Sequence, residues 1–223
     1  MQYINLHTHL IKSGSDIQIL NVFAQDLNET EPDHFFSAGI HPWHIGSVNP
    51  EECFQSIEQS MLNSNMLAVG ECGLDRVIDT DFAFQKELYQ KQIELAQKYD
   101  KPLIIHCVRA YPDLIKMKKD HRSVVPWILH GYQGNRDTTA ELVRHGFYFS
   151  IGKALFDSTK LQKILPEIPI ERLFFETDDS EFSIQKIYLF AAQILKTDEE
   201  LLVQVISSNF KKLFGDDKLV GKD

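Results

Sequence analysis

Two histidines near the start of the chain are the first residues whose type and spacing suggest chemistry. His7 and His9 follow the largely apolar residues 3–6 and are separated by a single threonine. Alternate residues of a β-strand point to the same face, so both imidazoles can approach one point. Imidazole nitrogen binds zinc and similar divalent metals, which need further histidine or carboxylate ligands. The pair therefore predicts a metal site completed from elsewhere in the chain.

Further ligand-type side chains follow other apolar runs. Runs at 35–40, 66–69, 103–105, 126–129 and 172–175 end close to His41, Glu71, His106, His130 and Asp178, respectively. The carboxyl ends of parallel strands form one face of an α/β barrel, and enzymes with that fold place their active sites there. An open doubly wound sheet would instead gather its ligands at one crevice. The distribution over nearly every strand favours a barrel.

The elements that must position these residues alternate between strand and helix. Counting the runs at 3–6, 17–23 and 147–151, about eight short strands are separated by segments with helical spacing. This pattern predicts one α/β domain over residues 1–223, a TIM-type (β/α) barrel of about eight parallel strands. Residues 24–34 are too few and too polar for a full helix, so one helix early in the chain is expected to be missing or shortened.

Composition narrows the class of protein. The chain has 223 residues, of which 43% are hydrophobic and 25% charged, as in soluble globular proteins. The sequence shows neither a signal-peptide pattern nor an apolar run long enough to span a bilayer, so a cytoplasmic protein with no membrane partner is expected. The three cysteines, Cys53, Cys72 and Cys107, lack paired spacing, which argues against disulfides or a thiolate zinc site. Cys72 and Cys107 are expected to be small buried side chains beside Glu71 and His106.

The net charge of -9 disfavours a broad basic surface for nucleic acid. A bound cation can nevertheless attract a phosphate locally. Candidate substrate contacts are Arg76 and Arg109, which lie just past Glu71 and His106, together with Lys153 and His41.

The expected ligands number four imidazoles and two carboxylates: His7, His9, Glu71, His106, His130 and Asp178. These are too many for one tetrahedral ion with an open position. Two divalent ions bridged by a carboxylate would use all six and would lower the pKa of bound water, which predicts hydrolysis. The mixed donors suit zinc, manganese, magnesium or nickel. The sequence contains no Gly-x-Ser-x-Gly elbow and no phosphate-binding P-loop.

The ordered motifs resemble those of the TatD family of metal-dependent hydrolases, which includes TatD-type deoxyribonucleases. They are Asn-Leu-His-Thr-His-Leu at 5–10, Gly-Ile-His-Pro at 39–42, Val-Gly-Glu-Cys-Gly-Leu-Asp at 69–75, Pro-Leu-Ile-Ile-His-Cys at 102–107, His-Gly-Tyr-Gln-Gly at 130–134, Glu-Thr-Asp at 176–178 and Asn-Phe-Lys-Lys-Leu-Phe at 209–214. The resemblance implies a TIM-type barrel and phosphodiester hydrolysis, including digestion of DNA from its 3′ end.

The resemblance also implies roles for individual residues. His7, His9 and Asp178 would hold one ion, His106 and His130 a second, and Glu71 would bridge them. Asp178 would in addition orient or deprotonate the attacking water, so that Asp178 and Glu71 are the expected catalytic residues.

The chain departs from the family pattern in ways that bear on substrate. Asn5 stands where the family usually has Asp, and His130 begins an altered motif. The family usually follows Glu-Thr-Asp with a long loop, whereas here residues 179–182 lead directly into a predicted helix. This short form favours a small phosphodiester or a single-stranded DNA end as the phosphoester substrate.

Two alternatives to phosphoester hydrolysis are consistent with the sequence. One is hydrolysis of an amide or lactone, as in other amidohydrolase-like barrels, which a substrate panel would reveal. The other is a non-catalytic metal-binding protein, which would bind metal tightly without turning over any substrate.

Overall fold

The computed structural model describes residues 1–14, 16–27 and 33–219. Within these ranges the chain forms strands and helices in alternation. The strands are β1 (Ile4–Thr8), β2 (Ile17–Phe23), β3 (Phe36–Gly39), β4 (Met66–Asp75), β5 (Leu103–Val108), β6 (Trp127–Leu129), β7 (Tyr148–Ile151) and β8 (Leu173–Phe175). They are arranged in chain order, from β1 to β8.

The α-helices fall mainly between strands or after the last one. They are α1 (Pro50–Ser60), α2 (Phe82–Lys98), α3 (Tyr111–Asp120), α4 (Arg136–Arg144), α5 (Ala154–Asp157), α6 (Thr159–Ile164), α7 (Ile184–Leu195) and α8 (Glu199–Phe214). Among the described helices, none is long and apolar enough to cross a lipid bilayer.

Residues 20–129 form one of two compact units, here called the central unit. Its strands β2 to β6 pair in parallel, each with the next along the chain. Every residue of β4 is buried, and the buried face of α2 packs against that strand. A strand covered on both faces accounts for its near-continuous apolar sequence.

Residues 1–19 and 130–223 form the other compact unit, here called the terminal unit. Strands β7 and β8 pair in parallel, with Ile151 opposite Phe175. Strand β1 lies beside β8, and the two strands contact α8. The Tyr188 hydroxyl on α7 donates to the Ile4 carbonyl oxygen at 3.0 Å, which ties that helix to the start of β1.

The described residues between β1 and β3 contain little helix. The described residues between β1 and β2 contain no helix, and β2 is followed only by a 3₁₀ turn at Ala24–Asp26. Residues 28–32 of that connection lie outside the described residues, and so does that part of the prediction of a missing or shortened helix over 24–34. The structure differs at β4 and β5, which continue through Glu71 and His106 instead of ending before them. An irregularity between Val69 and Cys72 lets β4 continue past Glu71 while pairing with β5.

Candidate metal-ligand groups

The first ligand group consists of His7, His9 and Asp178, all in the terminal unit. His7 and His9 leave β1 two residues apart, and Asp178 follows β8. The Asp178 Oδ1 atom lies 3.6 Å from His7 Nε2 and 3.4 Å from His9 Nε2. One potential ligand atom from each of the three residues lies within 4.8 Å of the other two. Two imidazoles and a carboxylate therefore converge at one end of β1.

Backbone contacts fix Asp178 beside β1. Its N–H donates to the His7 carbonyl oxygen at 3.0 Å, and the His9 N–H donates to the Asp178 carbonyl oxygen at 3.1 Å. Asp178 has a φ of 54°, in the left-handed region that Asp tolerates better than most residues. The carboxylate is thus positioned by strand-like pairing rather than by a flexible loop.

A buried polar network supports this pairing and explains Asn5. The Asn5 amide donates to Thr177 Oγ1 at 2.7 Å, and its Oδ1 accepts from the Thr177 N–H at 2.9 Å. Thr177 Oγ1 donates to Thr8 Oγ1 at 3.1 Å, and Thr8 Oγ1 lies 3.3 Å from the Asp178 carbonyl oxygen. The Asn5 amide supplies the N–H donor to Thr177, which an ionised Asp at this position would lack. The network therefore suits Asn5, which stands where the family usually has Asp.

The ionisation of Asp178 reflects opposing effects. Burial by itself raises the pKa of this carboxyl group, but interactions with His7 and His9 and the nearby His130 lower it. The imidazoles prevail, so the pKa of Asp178 is well below its usual range. The carboxylate is therefore ionised and available to a cation.

His130 lies next to the first ligand group. Its ring centroid is 4.4 Å from that of His7, and its Nδ1 is 3.4 Å from Glu176 Oε1. Glu176 is fully buried and also accepts from the Gly131 N–H at 2.6 Å. A carboxylate behind an imidazole orients the ring and increases its basicity as a metal ligand. Glu176 thus supports His130, a role that its place in the Glu-Thr-Asp motif does not reveal.

The second ligand group consists of His41, Glu71 and His106, all in the central unit. Glu71 Oε1 lies 3.0 Å from His41 Nε2 and 3.0 Å from His106 Nδ1. Glu71 is buried, and its N–H donates to the buried Asn21 Oδ1 at 2.8 Å. Ligand atoms of the three residues again lie within 4.8 Å of one another. His41, expected as a substrate contact, is placed directly against Glu71, and a contact with substrate stays a prediction.

Asp75 joins this group from the end of β4. Its Oδ2 lies 3.2 Å from His106 Nε2 and accepts from the Trp43 indole N–H at 2.8 Å. Burial raises the pKa of Asp75, but the hydrogen bonds from Trp43, Val77 and His106 outweigh it and the net pKa is lowered. Asp75 belongs to the Glu-Cys-Gly-Leu-Asp motif, and its position four residues after Glu71 was the available signal for this role.

Two buried glutamines on α2 clamp the ends of β3 and β4. Gln92 accepts from the Ile40 N–H at 2.8 Å and donates to the Ile40 carbonyl oxygen at 3.2 Å. Gln85 makes the same pair of contacts with Asp75, both at 2.9 Å. The two positions are seven residues apart, close to two helical turns, and so share one face of the helix. Gly39 permits close packing here, since a Cβ would lie 2.9 Å from the Glu71 carbonyl oxygen and Gly70 Cα and 3.0 Å from Gln92 Oε1.

No cysteine is part of either ligand group. Burial raises the pKa of Cys72, and it raises that of Cys107 to about 12. Both thiols are therefore protonated at neutral pH, whereas metals and nucleophilic chemistry use thiolates. All three cysteines are free, as predicted.

The three cations expected to contact phosphate, Arg76, Lys153 and Arg109, differ in their neighbours. Arg76 donates to Asp113 at 2.8 Å, and its guanidinium lies 3.8 Å from the centre of the Phe82 ring. Lys153 pairs with Asp179, and this hydrogen bond raises the pKa of the lysine. Arg109 is exposed and has a left-handed φ of 54°. Two of the three cations already have acidic partners, and all three remain predicted substrate contacts.

The short segment after Asp178 is anchored by a lysine. The Lys12 ammonium donates to the carbonyl oxygens of Ser180 and Phe182 at 2.8 and 2.9 Å. These contacts, with the Lys153–Asp179 pair, connect residues 179–182 to the rest of the terminal unit.

The donor sets fit divalent metals. Tetrahedral zinc with bonds of about 2.0–2.1 Å separates its ligand atoms by about 3.4 Å. The distances of 3.4 and 3.6 Å in the first ligand group match that separation. An octahedral ion with bonds of about 2.1 Å separates adjacent ligands by about 3.0 Å, as in the second ligand group. Nitrogen and oxygen donors at these separations are compatible with zinc, manganese, magnesium or nickel.

The sequence matches the model of a known family, TatD related DNase, over residues 5–215. The chain belongs to this family of metal-dependent hydrolases. A relative described as an uncharacterised metal-dependent hydrolase of Buchnera aphidicola is 29% identical over 202 residues, covering 81% of this chain and 76% of the relative. A 3′-5′ ssDNA/RNA exonuclease TatD of Edwardsiella piscicida is 32% identical over 161 residues. That match covers 70% of this chain and 62% of the exonuclease, so the chain spans about three fifths of that relative.

A solved structure establishes the fold of this TatD-family chain. The crystal structure of YjjV, a TatD homologue of Escherichia coli, superposes with a TM-score of 0.83 at 20% identity, covering 95% of this chain and 97% of the other. The predicted TIM-type α/β barrel is therefore confirmed. The family predicted from the motifs is confirmed by the family match.

Proposed function

We propose that this protein is a divalent-metal-dependent phosphodiesterase that removes nucleotides from the 3′ end of single-stranded nucleic acid. The observation that carries the proposal is the first ligand group, in which two imidazoles and an ionised carboxylate converge at ion-binding separations. Membership of the TatD family supports phosphodiester hydrolysis. The exonuclease name of one relative supports the choice of single-stranded substrate.

Two divalent ions are part of this proposal. The first ligand group would hold one, and Glu71 and His106 would supply ligands to the other. The bridging role of Glu71 and the assignment of His130 to the second ion are predictions from the family resemblance. Bound divalent ions supply Lewis acidity, which stabilises charge on a phosphate oxygen and lowers the pKa of water.

The chain's own residues have separable roles in this reaction. Asp178, ionised and with 30% of its side chain exposed, can accept a hydrogen bond from the attacking water and orient it. Glu176 Oε1 contacts His130 Nδ1, and Asp75 Oδ2 contacts His106 Nε2. Each carboxylate can therefore hold its imidazole ring in a fixed orientation. Such supporting contacts limit the reorganisation that accompanies catalysis.

The single-stranded end is favoured over duplex DNA for electrostatic reasons. The net charge is -9, and two of the candidate phosphate contacts are engaged with Asp113 and Asp179. A protein of this net charge, with most of its candidate phosphate contacts already paired, is poorly suited to follow a duplex backbone. A cytoplasmic location and a single domain over residues 1–223 are kept as predictions from the sequence.

The proposal is tested by adding metal to chelator-treated protein and following release of nucleotides from 3′-labelled single-stranded DNA. Zinc, manganese, magnesium and nickel should be compared, with lactone and amide substrates run alongside. His7→Ala, Glu71→Ala and Asp178→Asn should each lower cleavage by at least about a hundredfold, since each removes a ligand or the water-orienting carboxylate.

His121→Ala, at the end of α3, is a matched histidine control and should retain full activity. Cleavage that survives all three ligand substitutions would show that these groups are not the active site. Turnover of only a lactone or amide would replace the phosphodiesterase proposal with the alternative hydrolase, and tight metal binding without any turnover would indicate a non-catalytic protein.

A further inference from the structure

Trp43 is an exposed aromatic side chain beside the second ligand group. It lies in the 3₁₀ turn Pro42–His44, directly after His41, and 62% of its surface is accessible. The chain has one other tryptophan, Trp127, which is fully buried in the central unit. An indole contributing only to the core would be buried in that way.

Two hydrogen bonds fix the position of Trp43. Its backbone N–H donates to His41 Nδ1 at 3.1 Å, and its indole N–H donates to Asp75 Oδ2 at 2.8 Å. His41 and Asp75 are themselves buried and contact Glu71 and His106. The exposed ring is therefore held in place by the same residues that organise the ligand group, and ordering it requires little further loss of conformational entropy.

The indole lies close to both imidazoles of this group. Its ring centroid is 5.0 Å from that of His41 and 5.7 Å from that of His106, with interplanar angles of 83° and 75°. Because the indole N–H is already paired with Asp75, what the ring still offers a ligand is mainly its apolar π surface. That surface suits a flat aromatic group whose attached phosphate reaches the ligand group.

We propose that Trp43 is a stacking platform for the unpaired nucleobase of a terminal nucleotide. This inference rests on the proposed function, which brings a nucleotide phosphate to the same group. Stacking on an aromatic side chain tolerates any base, as a general exonuclease requires, and needs no basic surface. It gives an acidic protein a way to hold a single strand that the phosphate contacts alone do not provide.

The activity test compares two single-stranded oligonucleotides that differ only in whether the 3′-terminal nucleotide carries a base. Wild type should cleave the abasic end at least about fivefold less efficiently in kcat/KM, the lower limit expected for one stacked base. Trp43→Ala should lower kcat/KM on the normal end by a similar factor and should process both ends alike. Trp43→Phe, which keeps an aromatic face, should recover part of the loss.

Phe84→Ala removes another exposed aromatic side chain of the central unit, on α2, and should leave the preference for a base unchanged. Metal content should be equal in wild type and the Trp43 variants, which separates loss of stacking from damage to the ligand group. A wild type that cleaves normal and abasic ends equally, or a Trp43→Ala variant that still distinguishes them, would overturn the inference while leaving the proposed function intact.

A binding test does not depend on turnover. Because Trp127 is buried, quenching of tryptophan fluorescence by dAMP in the presence of metal should come from Trp43, and 2-deoxyribose 5-phosphate should not quench. Trp43→Phe should abolish the quenching. Equal responses to dAMP and to the sugar phosphate would contradict stacking, whereas base-dependent quenching in a protein that cleaves no phosphodiester would refute the proposed function alone.

Discussion

Asp178 combines a strained backbone, a low pKa and contact with two imidazoles at one position. The contribution of Asp178 to the free energy of unfolding should therefore decrease as the pH falls. A carboxyl group whose pKa is lowered by folding stabilises the protein above its unfolded-state pKa of about 3.9, and this contribution is lost as the pH falls towards the folded value. Metal-free wild type should therefore exceed Asp178→Asn in free energy of unfolding at pH 5, and the difference should shrink at pH 3.

Urea unfolding of both proteins in chelator at the two pH values measures this difference. The sign follows from the contacts with His7 and His9, which favour the ionised carboxylate. A difference that grows between pH 5 and pH 3 would mean that Asp178 is not held ionised by these imidazoles. The same variant should bind the first ion more weakly, which equilibrium dialysis with zinc would show.

The strands that position the ligand groups were partly predictable from the sequence. The strand before each ligand follows from an apolar run, and these strands are present. The continuation of β4 past Glu71 was not predicted, because Gly70 and Gly73 resemble turn residues. Their role is instead close packing, since a Cβ at either position would meet backbone atoms of β5.

Helix α2 carries the least predictable part of the site. Gln85 and Gln92 resemble ordinary polar surface residues of a helix, and only the fold shows that both are buried against strand ends. A pattern of apolar residues cannot reveal a buried amide that pairs with distant backbone groups. Long-range hydrogen bonds of this kind depend on the tertiary structure rather than on local sequence.

Replacing either glutamine should destabilise the protein and disturb the second ligand group. Gln92→Leu leaves the Ile40 N–H and carbonyl oxygen without their partner, at a cost of about 1–3 kcal/mol for each buried unpaired group. Urea unfolding should report this loss, and the affinity for a second ion should fall because His41 follows Ile40. Gln90→Leu, exposed on the same helix, is the matched control, and an equal effect of both substitutions would argue against the clamp.

At the scale of the whole molecule, the net charge limits how the protein can bind single-stranded nucleic acid. The net charge of -9 was visible in the sequence, but the pairing of Arg76 with Asp113 and of Lys153 with Asp179 required the structure. Each phosphate neutralised on a single strand adds about 0.7 to the dependence of log affinity on log salt. Candidate phosphate contacts that are mostly paired, together with a stacked base, imply binding that is only weakly sensitive to salt.

The KM for a single-stranded oligonucleotide should therefore depend only weakly on salt concentration. With one or two phosphates neutralised, raising KCl from about 50 to about 200 mM should increase KM by less than about tenfold at saturating metal. A protein that follows the backbone with about six cations would instead lose affinity by more than a hundredfold. Arg76→Ala and Lys153→Ala should each change the salt slope only slightly, because their acidic partners already compete for these cations. A steep slope, reduced by these substitutions, would show that the ion pairs open to bind phosphate and that charge, rather than stacking on Trp43, dominates strand binding.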